Sequence, residues 1–198
     1  MKFLTATAVA ALAAATAFAD PVAYEFDRGH TEISASWNHL GYSTQSIQFT
    51  DYEGTLLLDF DNPENSTVDV TFNLIDGFWV GGNHERFVGH LNSADLFNTV
   101  EFPTAQFVAT GFETEDGVTG TMTGELTLLG QTHEVVLDVT LNQRAPHPFD
   151  ATVMVAGFDA TGVIERSQWG LGYASPNVSE EVTISISTEL RAPNPDAE

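Results

Sequence analysis

Along most of this chain apolar and polar residues alternate with period two, the pattern of strands that turn one face to a core. Val68, Val70, Phe72 and Leu74 interleave with Thr67, Asp69, Thr71 and Asn73. Ile33, Ala35 and Trp37 oppose Glu32, Ser34, Ser36 and Asn38, in a strand that opens at residues 24–27 and breaks at His39-Leu40-Gly41. The same alternation recurs over residues 52–58, 104–112, 118–128, 133–141, 151–155 with 158–164, and 182–186. Turn-forming residues at 61–65, 115–117 and 130–132, and a loop marked by Pro146 and Pro148, punctuate it. About eight strands with short connections predict an antiparallel all-β protein.

One stretch breaks the period. In residues 84–103, Phe87, Leu91, Ala94 and Phe97 recur at steps of four, three and three, one face of a short helix. Ser93 and Asp95 within it predict a broken turn, and Pro103 returns the chain to an extended conformation. The stretch is expected to plug or cover the open end of a β-barrel; the alternative is a surface crossover on a β-sandwich. The inward phase contains Ala35, Gly54, Gly120, Gly124, Ala160 and Gly162 among larger residues. Small inward residues leave room, and an eight-stranded barrel is just wide enough to hold one small ligand. The expected fold is therefore a hollow, antiparallel eight-stranded barrel with one short helix closing or covering it. Gly120 and Gly124 are expected to face empty lumen, so that leucine at either would fill space rather than overpack.

Composition narrows the setting. Lys2, the Ala-rich apolar run that follows and Ala17-Phe18-Ala19 have the layout of a signal peptide over residues 1–19, with cleavage before Asp20. A single domain over 20–191 and a disordered tail over 192–198 complete the expected organisation, in a periplasmic or secreted protein. No later run is long and apolar enough for a membrane span. There is no cysteine, which excludes disulfides and thiolate chemistry. Beyond residue 19 five arginines and no lysine face 28 acids, a net −23 with His neutral. Such a field opposes nucleic acid and anionic headgroups and keeps the protein dissolved.

Candidate chemistry is sparse. His84 and His90 are six apart, on different faces of a helix, and no HExxH occurs. His30 and His39 are expected to anchor turns or line the barrel mouth. No catalytic residue and no metal site is assigned. The acceptor patterns at Asn65-Ser66-Thr67 and Asn177-Val178-Ser179 are read as chance. Arg166, beside Trp169, is expected either to pair with Asp27 or another acid, or to donate to a ligand's polar end at the mouth.

Four ordered segments resemble the YceI-like family of secreted bacterial proteins. They are Asp27-Arg28-Gly29-His30 running into Asn38-His39-Leu40-Gly41-Tyr42-Ser43-Thr44, and His90-Leu91-Asn92-Ser93-Ala94-Asp95-Leu96-Phe97 with Phe102-Pro103. Gly124-Glu125-Leu126-Thr127-Leu128-Leu129-Gly130 and Arg166-Ser167-Gln168-Trp169-Gly170-Leu171-Gly172 follow. The chain departs from the family at Asn92, where a basic residue is common, at Leu96, often aromatic, and at residues 45–49, which lack the usual arginines and glycine. The resemblance implies a lipocalin-like barrel enclosing an amphiphilic, isoprenoid-like chain. The residues expected to contact that ligand are Trp37, Phe72, Phe107, Gly120, Gly124, Leu126, Leu137, Ile164, Arg166, Trp169 and Ile184. The expected function is a carrier that sequesters a long-chain lipid by burial. An isoprenoid quinone, a polyprenyl lipid or a fatty amide is a candidate, and no cofactor is required. The rivals are an enzyme acting on such a ligand and a filled barrel serving as a partner protein in electron transfer or stress. Oligomeric state is left open, a dimer included.

Overall fold

The computed structural model describes residues 20–75, 77–81 and 84–197, without the side chain of His84. The expected signal peptide lies outside these residues. Ten strands form one sheet: β1 (Val22–His39), β2 (Ser43–Phe49), β3 (Tyr52–Leu58), β4 (Thr67–Asn73), β5 (Phe78–Trp79), β6 (Thr104–Thr114), β7 (Thr119–Leu128), β8 (Gln131–His147), β9 (Asp150–Glu165) and β10 (Glu181–Pro193). Every pairing between them is antiparallel. Eight strands close in the order β1-β3-β4-β6-β7-β8-β9-β10, with β10 returning to β1. The barrel and its eight alternating strands are as the pattern predicts.

β1 closes the barrel by serving three neighbours. Its first residues, Val22–Tyr24, pair with Leu56–Leu58 of β3, and its last, Ser34–His39, pair with Ser43–Gln48 of β2. On its other edge it pairs with β10. Between Phe26 and Thr31 the register slips, so Asp27-Arg28-Gly29-His30 bulges out of the wall and bends the strand. Two strands lie outside the predicted set. β2 is rich in Ser, Thr and Gln and carries few apolar residues, chiefly Ile47 and Phe49, and β5 is two residues long. In the three-residue connection between the paired His39 and Ser43, Tyr42 N donates to His39 O at 3.0 Å and Leu40 and Gly41 stand at φ +58° and +75°.

Several boundaries move. β9 runs unbroken through Ala156-Gly157, because β8 bulges opposite, between Leu141 and Gln143. Pro146 lies within β8, at its irregular end, opposite Met154. Ala192 and Pro193, expected in the tail, extend β10 against Met154 and Val153, and Asn194 donates to the carbonyls of Thr152 and Ala151.

The helix α1 (His84–Leu91) is shorter than the predicted stretch. Ser93 Oγ donates to His90 O, Leu96 N to Ser93 O and Phe97 N to Leu91 O, so the chain leaves the helix in tight turns. Leu91 and Phe97 are buried, but the phase is lost between them and Ala94 is exposed. The outward phase of β7 and β8 is mostly polar: Thr123, Glu125 and Thr127, then Thr132, Glu134, Asp138 and Thr140. A barrel in lipid would present the reverse. No described helix is long and apolar enough to cross a membrane.

Candidate functional site

The inward side chains do not meet at the barrel axis. They enclose a cavity of about 910 Å³, within the usual range for small-molecule sites, lined almost wholly by apolar side chains. It runs the length of the barrel: Thr119 and Leu128, the two ends of β7, both line it. Ten residues of a strand tilted by some 40° span roughly 25 Å along the axis. Packed clusters border it at each end, one around Leu74, Phe78, Leu91, Phe97 and Trp169, the other around Tyr24, Tyr52, Leu56, Ala156 and Leu190.

Aromatic contacts narrow both ends. Near the 59–66 loop, Phe60 stacks on Phe158 with centroids 6.2 Å apart, and the Arg144 guanidinium lies 4.4 Å above the Phe60 ring. Arg144 Nε donates to Tyr24 Oη at 3.3 Å, which fixes the cation there. Asp59 shapes this loop. Its carboxylate accepts from the backbone N–H of Asn62 and Asp61 and from Asn65 Nδ2, and these bonds hold it below the usual carboxylate range. At the other end α1 covers the lumen. Phe87 leans on Trp37 at 6.2 Å, and the His90 ring meets Tyr173 edge-on at 5.1 Å. His39, Leu40, Gln45 and Ala174 complete that mouth.

Of the residues expected to contact a ligand, Trp37, Phe72, Phe107, Gly120, Leu126, Leu137, Ile164, Arg166 and Ile184 line the cavity. Gly124 and Trp169 do not. Trp169 is 1% exposed, packed edge-on against His133 at 5.0 Å, and its indole N–H donates to Leu126 O at 2.9 Å. It belongs to the end wall. The space above Gly124 is filled by Phe107: an added Cβ would stand 2.6 Å from Cε2 of that ring and 2.8 Å from Val108 O. At Gly120 a Cβ would meet Glu113 O of the neighbouring strand. Both glycines therefore permit close approach across the β6–β7 pair; Gly120 borders the cavity, but a side chain at either position would clash rather than fill empty lumen, contrary to expectation.

Arg166 is also corrected. Asp27 pairs instead with Arg191 and His30. Arg166 is buried, and its guanidinium donates to three backbone carbonyls, Ser179 O at 2.8 Å, Val178 O at 2.9 Å and Leu171 O. It ties residues 171–179 to the end of β9 and has little left to offer a ligand. Asn92 Nδ2 donates to Ile75 O, so this position pins the crossover and does not line the lumen. The sequence reading missed Phe60, Phe87, His90, Leu96 and Tyr173 as lining residues. The helical period did mark Phe87 as inward; His90 lies on the same helix, off the expected apolar face, and Phe60, Leu96 and Tyr173 lie in turns and loops where no period exists.

Among the described residues one group brings potential cation ligands together: Asp27, His30 and Glu189. Arg191 Nε stands 3.0 Å from the same Asp27 oxygen that accepts from His30, so a guanidinium already supplies the positive charge.

Comparison with known proteins places this geometry. The YceI-like domain family model matches residues 24–190. The chain is similar to Protein YceI of Escherichia coli O157:H7, 34% identical over 168 residues, which cover 84% of this chain and 85% of that protein. Its fold is similar to that of Burkholderia cenocepacia BcnA, with a TM-score of 0.72 and 21% identity over 85% of this chain and 99% of the other. It is also similar to a polyisoprenoid binding domain from Saccharophagus degradans implicated in plant cell wall breakdown, with a TM-score of 0.58 and 13% identity over 87% and 99% of the two chains.

Proposed function

Because this chain belongs to the YceI-like domain family, we propose that it is a carrier that takes one long-chain amphiphile, isoprenoid-like, into its barrel. The observation that carries this reading is the cavity: about 910 Å³, apolar along its length and continuous between the barrel ends. The polyisoprenoid-binding Saccharophagus domain shares the fold and supports the ligand class. Burial is the whole mechanism, and no bond is made or broken. Each CH₂ removed from water contributes about 0.8 kcal/mol, so ten contribute roughly 8 kcal/mol before ordering costs. No fixed charge is needed. With Arg166 bound to three carbonyls, the polar end of the ligand meets neutral groups, among them Gln45 and the phenol of Tyr173. An isoprenoid quinone or a polyprenyl lipid fits this description.

The carrier works in the periplasm or outside the cell, following export directed by residues 1–19; N-terminal sequencing of exported protein is expected to start at Asp20. Native mass spectrometry of the purified protein, followed by lipid extraction, tests the ligand. One chain lipid per barrel is expected. A bare polypeptide mass, together with no rise in melting temperature on adding ubiquinone or a polyprenol, would overturn the reading.

A further inference from the structure

The mouth opposite the Phe60 loop differs in charge from the rest of the molecule. α1, with the exposed Glu85, covers part of it; the rest is built by the β1–β2 hairpin and by residues 170–178, which are joined directly: Leu40 N donates to Asn177 O at 3.0 Å, Asn38 N to Ser179 Oγ at 3.0 Å, and His39 bridges to Val178. Residues 33–50 and 166–179 hold no Asp or Glu, 32 positions without an acid in a sequence that has 28. The next acid along the chain, Glu180, is held by the Ser175 and Ser167 hydroxyls, which keep its carboxyl below the usual range. Glu165, the last residue of β9, and Glu181, the first of β10, pair across the two strands and are exposed just beyond this segment. At this same mouth the surface is apolar. Tyr42 is 90% exposed, Tyr173 48% and Leu40 47%. Leu40 and Tyr173 also line the cavity, so the apolar lining continues onto the outer rim. Leu40 sits at φ +58° and Ala174 at +59°, where glycine or asparagine would be less strained.

We propose that this rim is a docking face for a lipid bilayer, through which the chain passes between membrane and barrel. The inference rests on the carrier reading for its purpose but on the rim for its chemistry. A long apolar chain that left the mouth into water would lose its burial CH₂ by CH₂. Seated on a bilayer it would move from one apolar medium to another. Tyrosine favours the headgroup level, with its ring toward the acyl chains and its hydroxyl wet. Acids elsewhere repel anionic headgroups, and the side of the rim formed by the hairpin and residues 166–179, which holds none, is the part of the surface that can approach a membrane closely.

The test is co-sedimentation of the full exported protein with sucrose-loaded phosphatidylcholine vesicles, repeated with phosphatidylglycerol added. The native protein is expected to sediment with the neutral vesicles. It should bind anionic ones more weakly at low salt and recover as salt is raised. Tyr42→Asp is expected to weaken binding to neutral vesicles about tenfold, equivalent to roughly 1.4 kcal/mol. Because Tyr42 is almost fully exposed and outside the lining, its fold and lipid content should not change. Leu40→Asn gives a second arm: it removes the apolar group while suiting a positive φ, so vesicle binding should fall with melting temperature kept or raised. A native protein that ignores both vesicle types, or binding that Tyr42→Asp leaves intact, overturns the docking face. Mass spectrometry of the same samples separates the two readings. Lipid in the barrel with no vesicle binding removes docking alone. Vesicle binding through Tyr42 with a barrel that never holds lipid removes the carrier and leaves docking standing.

Discussion

Replacing Gly124 with alanine tests the barrel interior with one methyl group. The new Cβ would lie 2.6 Å from Phe107 Cε2 and 2.8 Å from Val108 O, whereas non-bonded carbons rest about 3.5–4.0 Å apart. The ring can yield, because Phe107 borders the cavity. The carbonyl cannot yield easily, since Val108 is paired to Glu125 on one side and Asp69 on the other. Part of the strain therefore persists after the ring has moved. Overpacking of this kind costs about 1–3 kcal/mol. At about 2–4 °C per kcal/mol for a chain this size, Gly124→Ala is expected to melt roughly 2–12 °C below native. Gly124→Leu should be worse. Phe107→Leu shortens the opposing side chain, so the double variant Gly124→Ala/Phe107→Leu should recover stability, with a coupling of about 0.5–3 kcal/mol. Thermal melts of the four proteins measure this cycle. The displaced ring also intrudes on the lumen, so extracted lipid per chain should fall in Gly124→Ala. A Gly124→Ala variant that melts with the native protein, or a cycle with no coupling, would refute the packing described for β6 and β7.

Arg166→Met would leave the carbonyls of Leu171, Val178 and Ser179 without their donor; at about 1–3 kcal/mol for each buried unsatisfied group, denaturant unfolding should show a loss of at least ~3 kcal/mol. Arg166→Lys should restore only part, because an ammonium lacks the planar fork, and a fully stable Arg166→Lys would show that the loop is held by other means. The Asp27–His30 pair gives a pH dependence. Its hydrogen bond raises His30 above its ordinary 6.5 and holds Asp27 below its ordinary 3.8. The His30 contribution is complete below about pH 6.5 and is lost as pH rises through the raised value; the Asp27 contribution is present above about pH 4 and is lost as pH falls. His30→Gln should therefore flatten the decline in melting temperature above about pH 6.5, and salt should shrink the difference because the pair is exposed; an unchanged profile at low salt would count against the pair.

What the sequence determined by itself is the set of alternating strands and the sides they face. Alternation is local: each β-residue must point inward or outward, so Val68, Val70, Phe72 and Leu74 declare their face without reference to a partner. The break of period after His84 announced a helix for the same reason, and Phe87 and Leu91 took the predicted face. β2 was hidden because Ser43, Thr44, Gln45 and Ser46 show little apolar alternation; the strand exists because β1 offers an edge for it. The end of α1 was hidden because Ser93 redirects the chain through hydrogen bonds that periodicity does not encode. At the site, inward phase placed Trp37, Phe72, Leu126, Leu137 and Ile184 on the lumen, but not what stands opposite each of them. Only the closed barrel set the Phe107 ring over Gly124, turned Trp169 into a wall that donates to Leu126 O, and surrounded Arg166 with three carbonyls. The first of these contacts crosses two neighbouring strands. The second joins residues 43 apart in sequence. Such partners are chosen by register and closure, which are properties of the assembled sheet and of no single segment.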